Sequence, residues 1–178
     1  MTTRGLSISR VETGEEPVTL EELKSHLSID FNDHDSLLNI LLTQAREQVE
    51  EYTATTLLAS DYVVRWEQVT TEELPYGPVI GVESVKDKDG EDVLSYSLEG
   101  LMGKFVSIKA DSLTPVIVNY SAGYTSVPFG LKLAIMKLAS DNFEQRTGFD
   151  VSGKMTFQNF PNDWRKTAAP YSRKTWLV

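Results

Sequence analysis

The hydrophobic period of this chain changes twice, and those two changes constrain its fold more than any other feature. In DSLLNILLTQAREQVEEYTATTL, the residues Leu38, Leu41, Leu42, Ala45, Val49 and Tyr52 recur at three- and four-residue spacing. That spacing puts them on one buried face of a helix over about Ser36 to Tyr52. After the threonine-rich TATT the period falls to two. DYVVRWEQV, VIGVESVKD, DVLSYSL, KFVSIKA and TPVIVNY are short β-branched and aromatic runs, with turn dipeptides such as Asp89-Gly90 between them. They predict an antiparallel β region over residues 61–120. Beyond Pro128 the helical period returns: Leu131, Ile135, Leu138, Ala139 and Phe143 share a face over about Pro128 to Arg146. Leu133 and Met136 lie on other sides, so this helix is expected to be covered twice, as in an assembly.

Upstream, PVTLEELKSHLSI carries its own start signal. Thr19 fits an N-cap and Glu22, three places on, completes a capping box for a short helix over Leu20 to Leu27. Residues 1–16 show no comparable pattern and are expected to be flexible. Gly148 is a stop for the last helix. The expected fold is α+β: a helical body of short, long and C-terminal helices (residues 17–58 and 127–147), an inserted antiparallel β region, and an extended tail over 148–178. In VNYSAGYTSVPFGLKLAI, Gly123 and Pro128 mark the corner where the last strand hands over to the last helix. Glycine there supplies a backbone conformation closed to other residues, and proline presets a helical turn. Leu131, Ile135 and Leu138 are the candidate packing stripe, for core and for subunits.

Charge narrows the partners. The whole chain carries a net charge of −9, which argues against a protein that clamps duplex nucleic acid through Lys and Arg. The distribution is uneven: residues 1–147 hold 12 basic and 24 acidic side chains, residues 148–178 hold 5 basic and 2 acidic. The tail also carries Phe149, Phe157, Phe160, Trp164, Tyr171 and Trp176, an aromatic density unlike a linker's. Trp164, Arg165, Lys166, Tyr171, Arg173, Lys174 and Trp176 are therefore candidate contacts to a partner protein, since Trp, Tyr and Arg dominate interface anchors. The alternative is that the tail packs on its own body. There is no cysteine, hence no disulfide, thiolate metal site or cysteine nucleophile. No stretch approaches the roughly 18 apolar residues of a spanning helix, so neither membrane segment nor signal peptide is expected.

The motifs that could carry chemistry fall short of it. The stretch around Gly123 has the strand, turn and helix order of an anion cradle, but it lacks the glycine run and the Lys-Ser/Thr pair of a phosphate loop. Asp30, Asn32, Asp33, His34 and Asp35 line up oxygen and imidazole ligands. An EF-hand fails because His34 takes the third alternate position and Asp35 stands where glycine belongs. Helix capping and dipole compensation account for these carboxylates. His26 falls among Leu23, Leu27 and Ile29, as a core or boundary histidine would. Glu50 and Glu51 diverge by about 100° around a helix and cannot share a substrate. No nucleophile elbow and no zinc-protease motif occur. No enzyme activity and no cofactor are expected.

The order of four segments carries a resemblance. VTLEELKSHLSID, DHDSLLNILLTQAREQVEEYTATTLL, LPYGPVIGVESVKDKDGE and VNYSAGYTSVPFGLKLAIMKLASDNFEQR together resemble the head-tail connector, or adaptor, proteins of tailed bacteriophages and gene transfer agents, over about residues 17–147. The resemblance implies a virion structural protein, assembled in the host cytoplasm into a homo-oligomeric ring of twelve copies at the capsid-tail interface. Its implied partners are its own copies, the portal protein above, and the next tail or stopper protein below, with DNA passing through the lumen without sequence-specific binding. The alternative is an acidic protein-binding module, such as a tail-completion protein or a DNA-mimic inhibitor.

Overall fold

The alternating stretch SDYVVRW folds as its period requires, burying Ser60, Tyr62, Val64 and Trp66 and exposing the residues between them. The computed structural model describes residues 6–93, 95–100, 106–112, 115–144 and 163–173. The chain divides into two units, Met1–Glu15 with Thr55–Ser126, and Glu16–Ala54 with Val127–Val178.

The first unit is β. Its four-stranded sheet contains β1 (Ser7–Glu12), β2 (Ser60–Trp66), β4 (Val79–Asp87) and β7 (Val116–Ala122) in the order β1-β2-β7-β4. Neighbouring strands are antiparallel, and the register sets Tyr62 opposite Tyr120 and Val64 opposite Val118. A three-stranded sheet places β6 (Val106–Ser112) between β3 (Val69–Glu73) and β5 (Ser97–Gly100). Buried residues of both sheets, among them Trp66, Val69, Val85, Ile108 and Val118, form one apolar cluster. The run read as DYVVRWEQV is two strands, and that read as DVLSYSL becomes a strand only at Ser97.

One difference lies at the N-terminus, where flexibility was expected through residue 16: Ser7–Glu12 is a strand paired along its length with β2. Its side chains are almost all exposed, so it is held by the backbone ladder and by Arg10, whose Nε donates to Ser60 Oγ at 3.0 Å and whose guanidinium lies 5.9 Å from the Tyr62 ring centroid. An edge strand of this kind has no buried face for a hydrophobic pattern to report.

The second unit is helical, with α1 (Leu20–Leu27), α2 (Asp35–Thr53), α3 (Phe129–Glu144) and the short α4 (Trp164–Ala168), which runs on into a 3-10 turn, Ala169–Tyr171. The capping box of α1 is present: the Glu22 N–H donates to Thr19 Oγ1 at 3.1 Å, and the Thr19 N–H to Glu22 Oε2 at 2.8 Å. In α2 the predicted Leu38, Leu41, Leu42, Ala45 and Val49 are buried. Its cap differs from expectation. His34 holds the N-cap position without a side-chain cap bond, and Asp35, inside the first turn, accepts from Lys24 Nζ at 2.8 Å. No helix among the described residues is long and apolar enough to cross a membrane.

Leu131, Ile135 and Leu138 are buried in α3, together with Ala134, Met136, Ala139 and Ser140. The double cover expected from an assembly has a source inside the chain, because α3 packs against α2 and also against α4. Where an extended tail was expected, residues 164–171 are helical. Asp163 caps α4, its Oδ1 accepting from the Arg165 N–H at 3.0 Å, and Trp164 and Ala168, one turn apart, are its buried side.

Candidate interaction surfaces

Most of the candidate residues in the tail lie on α4 and the turn after it. Trp164 is only 7% exposed and meets the Tyr52 ring edge-on, with centroids 5.3 Å apart. Lys137 Nζ donates to Thr167 Oγ1 at 3.1 Å. Gly130 completes the seat: a Cβ there would lie 2.7 Å from the Tyr171 hydroxyl and 2.8 Å from its ring, so any larger residue would push the end of the tyrosine off its present place on α3. Gly130→Ala should weaken this docking by about 1–2 kcal/mol, seen as faster tryptic cleavage at Arg165, Lys166 and Arg173 in the otherwise folded chain.

Trp164 is thus used within its own unit, while Arg165 and Lys166 are exposed and Tyr171 and Arg173 half-buried. The Arg165 guanidinium sits 4.8 Å from the Trp164 ring centroid, a stacking that fixes its charge at the surface. Lys174 and Trp176 fall outside the described residues.

At the corner, Gly123 has φ +136°, and its N–H donates to the Pro78 carbonyl at 2.9 Å. Pro128 stands one place before α3, its carbonyl oxygen accepting from the N–H groups of Leu131 and Lys132 at 2.9 and 3.2 Å. It therefore opens the helix from the capping position, one residue earlier than the first-turn place expected of it.

The residues weighed for chemistry have structural surroundings. His34 lies edge-on to Phe31 and Phe143, with centroid distances of 5.7 and 5.4 Å. His26 is exposed, not a core or boundary residue, because α1 is a short helix that buries Leu23 alone. Glu50 is buried against Arg46 while Glu51 is exposed, so the adjacent carboxylates diverge as expected. Asp87 Oδ1 accepts from the N–H groups of Asp89 and Glu91 at 2.9 and 3.0 Å, which closes the hairpin tip at Asp89-Gly90. Among the described residues, no group of three or more His, Cys, Asp or Glu could hold a metal ion.

Two features were missed in the sequence. Arg46 is 1% exposed and anchors an ion cluster, its Nε 3.1 Å from both Glu16 carboxylate oxygens and its Nη1 3.1 Å from Glu50 Oε2. The i,i+4 spacing to Glu50 beside the buried stripe was the available signal. Ile40 and Phe129 are 65% and 73% exposed on α2 and α3; no pattern in the sequence marks an apolar residue left outside.

A chain with these elements is similar to known proteins. The chain resembles a chain in the neck of an empty gene transfer agent particle computed with C6 symmetry, with TM-score 0.71, 18% identity, and coverage of 92% of this chain and 95% of that one. Similar chains occur in the virion of a native gene transfer agent particle (TM-score 0.69, 19% identity, 93% and 94% covered) and in the neck of a native particle computed with C12 symmetry (0.67, 18%, 92% and 94%). At these identities the likeness shows the fold. The family model for phage gp6-like head-tail connector proteins matches residues 17–92. A search of curated proteins finds no match. Family model and solved structures point to the same class, the head-tail connector, or neck, proteins of phages and gene transfer agents. That class is structural, not catalytic.

Proposed function

We propose that this chain is a head-tail connector of a phage or gene-transfer-agent particle. It assembles in the host cytoplasm into a ring of twelve copies below the portal, extends the DNA channel, and joins the capsid to the next tail or stopper protein. The observation that carries this reading is the agreement of the two comparisons, the gp6-like match over residues 17–92 and the likeness to neck chains across nine-tenths of both lengths. The symmetries given for those necks support a ring. The acidic excess of residues 1–147 supports a channel wall that repels phosphate, so that DNA passes without sticking. Negative-stain imaging and native mass measurement of the chain mixed with its portal test the reading. Rings seated on the portal are expected, and a persistent monomer that ignores the portal overturns it.

Within this reading, basic and aromatic residues of the C-terminal segment bind the portal or a neighbouring copy: the exposed Arg165 and Lys166, the half-buried Tyr171 and Arg173, and with them Lys174 and Trp176. Truncation after Gly148 is a poor probe, because it also removes Trp164 and Ala168 from the helical core. Truncation after Arg173 spares both. The shorter cut keeps every buried residue of α4 and should leave the thermal midpoint close to that of the full chain, while lowering portal binding several-fold by pull-down. Unchanged binding would remove Lys174 and Trp176 from the contact.

A further inference from the structure

We propose that the exposed face of α2, around Ile40, Glu47 and Glu51, receives the Phe129, Arg165 and Lys166 face of the adjacent copy; this rests on the ring reading above and names the surface that closes the ring. A ring needs two different complementary patches on one subunit, because a head-to-tail contact repeats around the axis. The helical unit is divided in this way. Residues 16–54 hold 9 acidic and 2 basic side chains, and residues 127–178 hold 4 acidic and 8 basic.

The patches also match in layout. On α2, Ile40 stands exposed on the side away from the buried stripe, and Gln44, Glu47 and Glu51 follow it along the same exposed side. The distance from Ile40 to the two glutamates is about 10–16 Å at 1.5 Å per residue. On the other face, Phe129 is the apolar end. Tyr171 rests beside Gly130 and Thr167 beside Lys137, so α4 runs antiparallel to α3 and carries Lys166 about 12 Å from the level of Phe129. An apolar anchor and a charge pair at the same spacing, with opposite signs, face each other when two copies meet. Arg165 is held ready by the Trp164 ring, which lowers the cost of ordering it at an interface. The attraction also steers encounter and selects register.

The absence of cysteine makes a direct test clean. One full-length chain carries Gln44→Cys and a second carries Pro170→Cys, exposed positions that lie between anchor and charges, Gln44 between Ile40 and Glu47 and Pro170 between Tyr171 and Lys166. Mixed and oxidised, the two should give a disulfide-linked heterodimer that neither gives alone. Adding Glu47→Lys and Glu51→Lys to the first chain should cut the yield at least tenfold, since like charges then meet. Adding Arg165→Glu and Lys166→Glu to the second should restore it. Circular dichroism of each chain checks that these surface changes leave the fold in place. Rings of the unmodified chain without a heterodimer from the mixture, or charge reversal without effect, overturn this interface and leave the ring reading standing. Monomers throughout, alone and with portal, overturn both.

Discussion

Gly123→Ala should cost about 2–6 kcal/mol and lower the denaturation midpoint of the β unit by a correspondingly large margin. Two penalties add. The backbone at Gly123 has φ +136°, where an L side chain is strained whatever the space around it, a cost of about 1–3 kcal/mol. The added Cβ would lie 2.7 Å from the Ala59 Cα and 3.0 Å from the Ala59 nitrogen. Those are backbone atoms at the entrance to β2, so no rotamer change relieves the overlap, and overpacking of this kind costs about another 1–3 kcal/mol. The Gly123 N–H bond to the Pro78 carbonyl would be pulled out of line with it. Gly90→Ala separates the two penalties, since Gly90 has φ +85° but open space around a Cβ. It should cost about 1 kcal/mol. Urea denaturation followed by the far-ultraviolet circular dichroism of the strands measures both. Equal midpoints for the two variants would show that the contact with Ala59 is not what fixes the corner.

The reach of the sequence is clear from particular elements. The period changes located α2, the β region and α3 because each has one face against apolar neighbours, and burial leaves a periodic trace. The capping box at Thr19 and Glu22 was legible because its partners lie three residues apart. β1 was not legible, since an edge strand held by its ladder and one arginine buries nothing periodic. The cap of α2 was not legible because His34 holds that position without a side-chain bond, while Asp35, one place on, is turned to Lys24, eleven residues before it. The same holds for the candidate surfaces. The tail's basic and aromatic character was visible, but Trp164 meets Tyr52 across 112 positions of sequence, and no local pattern records that contact. Hence the anchor with the strongest interface chemistry turned inward, while the charges beside it stayed outside.

Replacing Arg46 by methionine should destabilise the helical unit by about 3–5 kcal/mol, the cost of leaving a buried charge without its partner. Arg46 is the largest of the fully buried side chains, with Glu50 next to it at 8% exposure. The guanidinium meets Glu50 from one nitrogen and Glu16 from another, so it holds the chain entering α1 against the middle of α2. With methionine in its place, Glu50 keeps its burial and loses the Arg46 guanidinium, whereas Glu16, 38% exposed at its side chain, can turn to water. The loss should therefore depend on Glu50. Arg46→Met with Glu50→Met replaces the pair by apolar side chains of similar length and should recover most of the stability, because buried ion pairs seldom outweigh well-packed hydrophobes. Arg46→Met with Glu16→Gln should recover little. Denaturant midpoints of the three variants decide between these readings. If the Glu16 change rescues and the Glu50 change does not, the cluster serves to fasten the entry to α1 and not to neutralise a buried acid. In either case the outer face of α2 is tied to this arginine, since Glu47 on that face lies 4.0 Å from its Nη2.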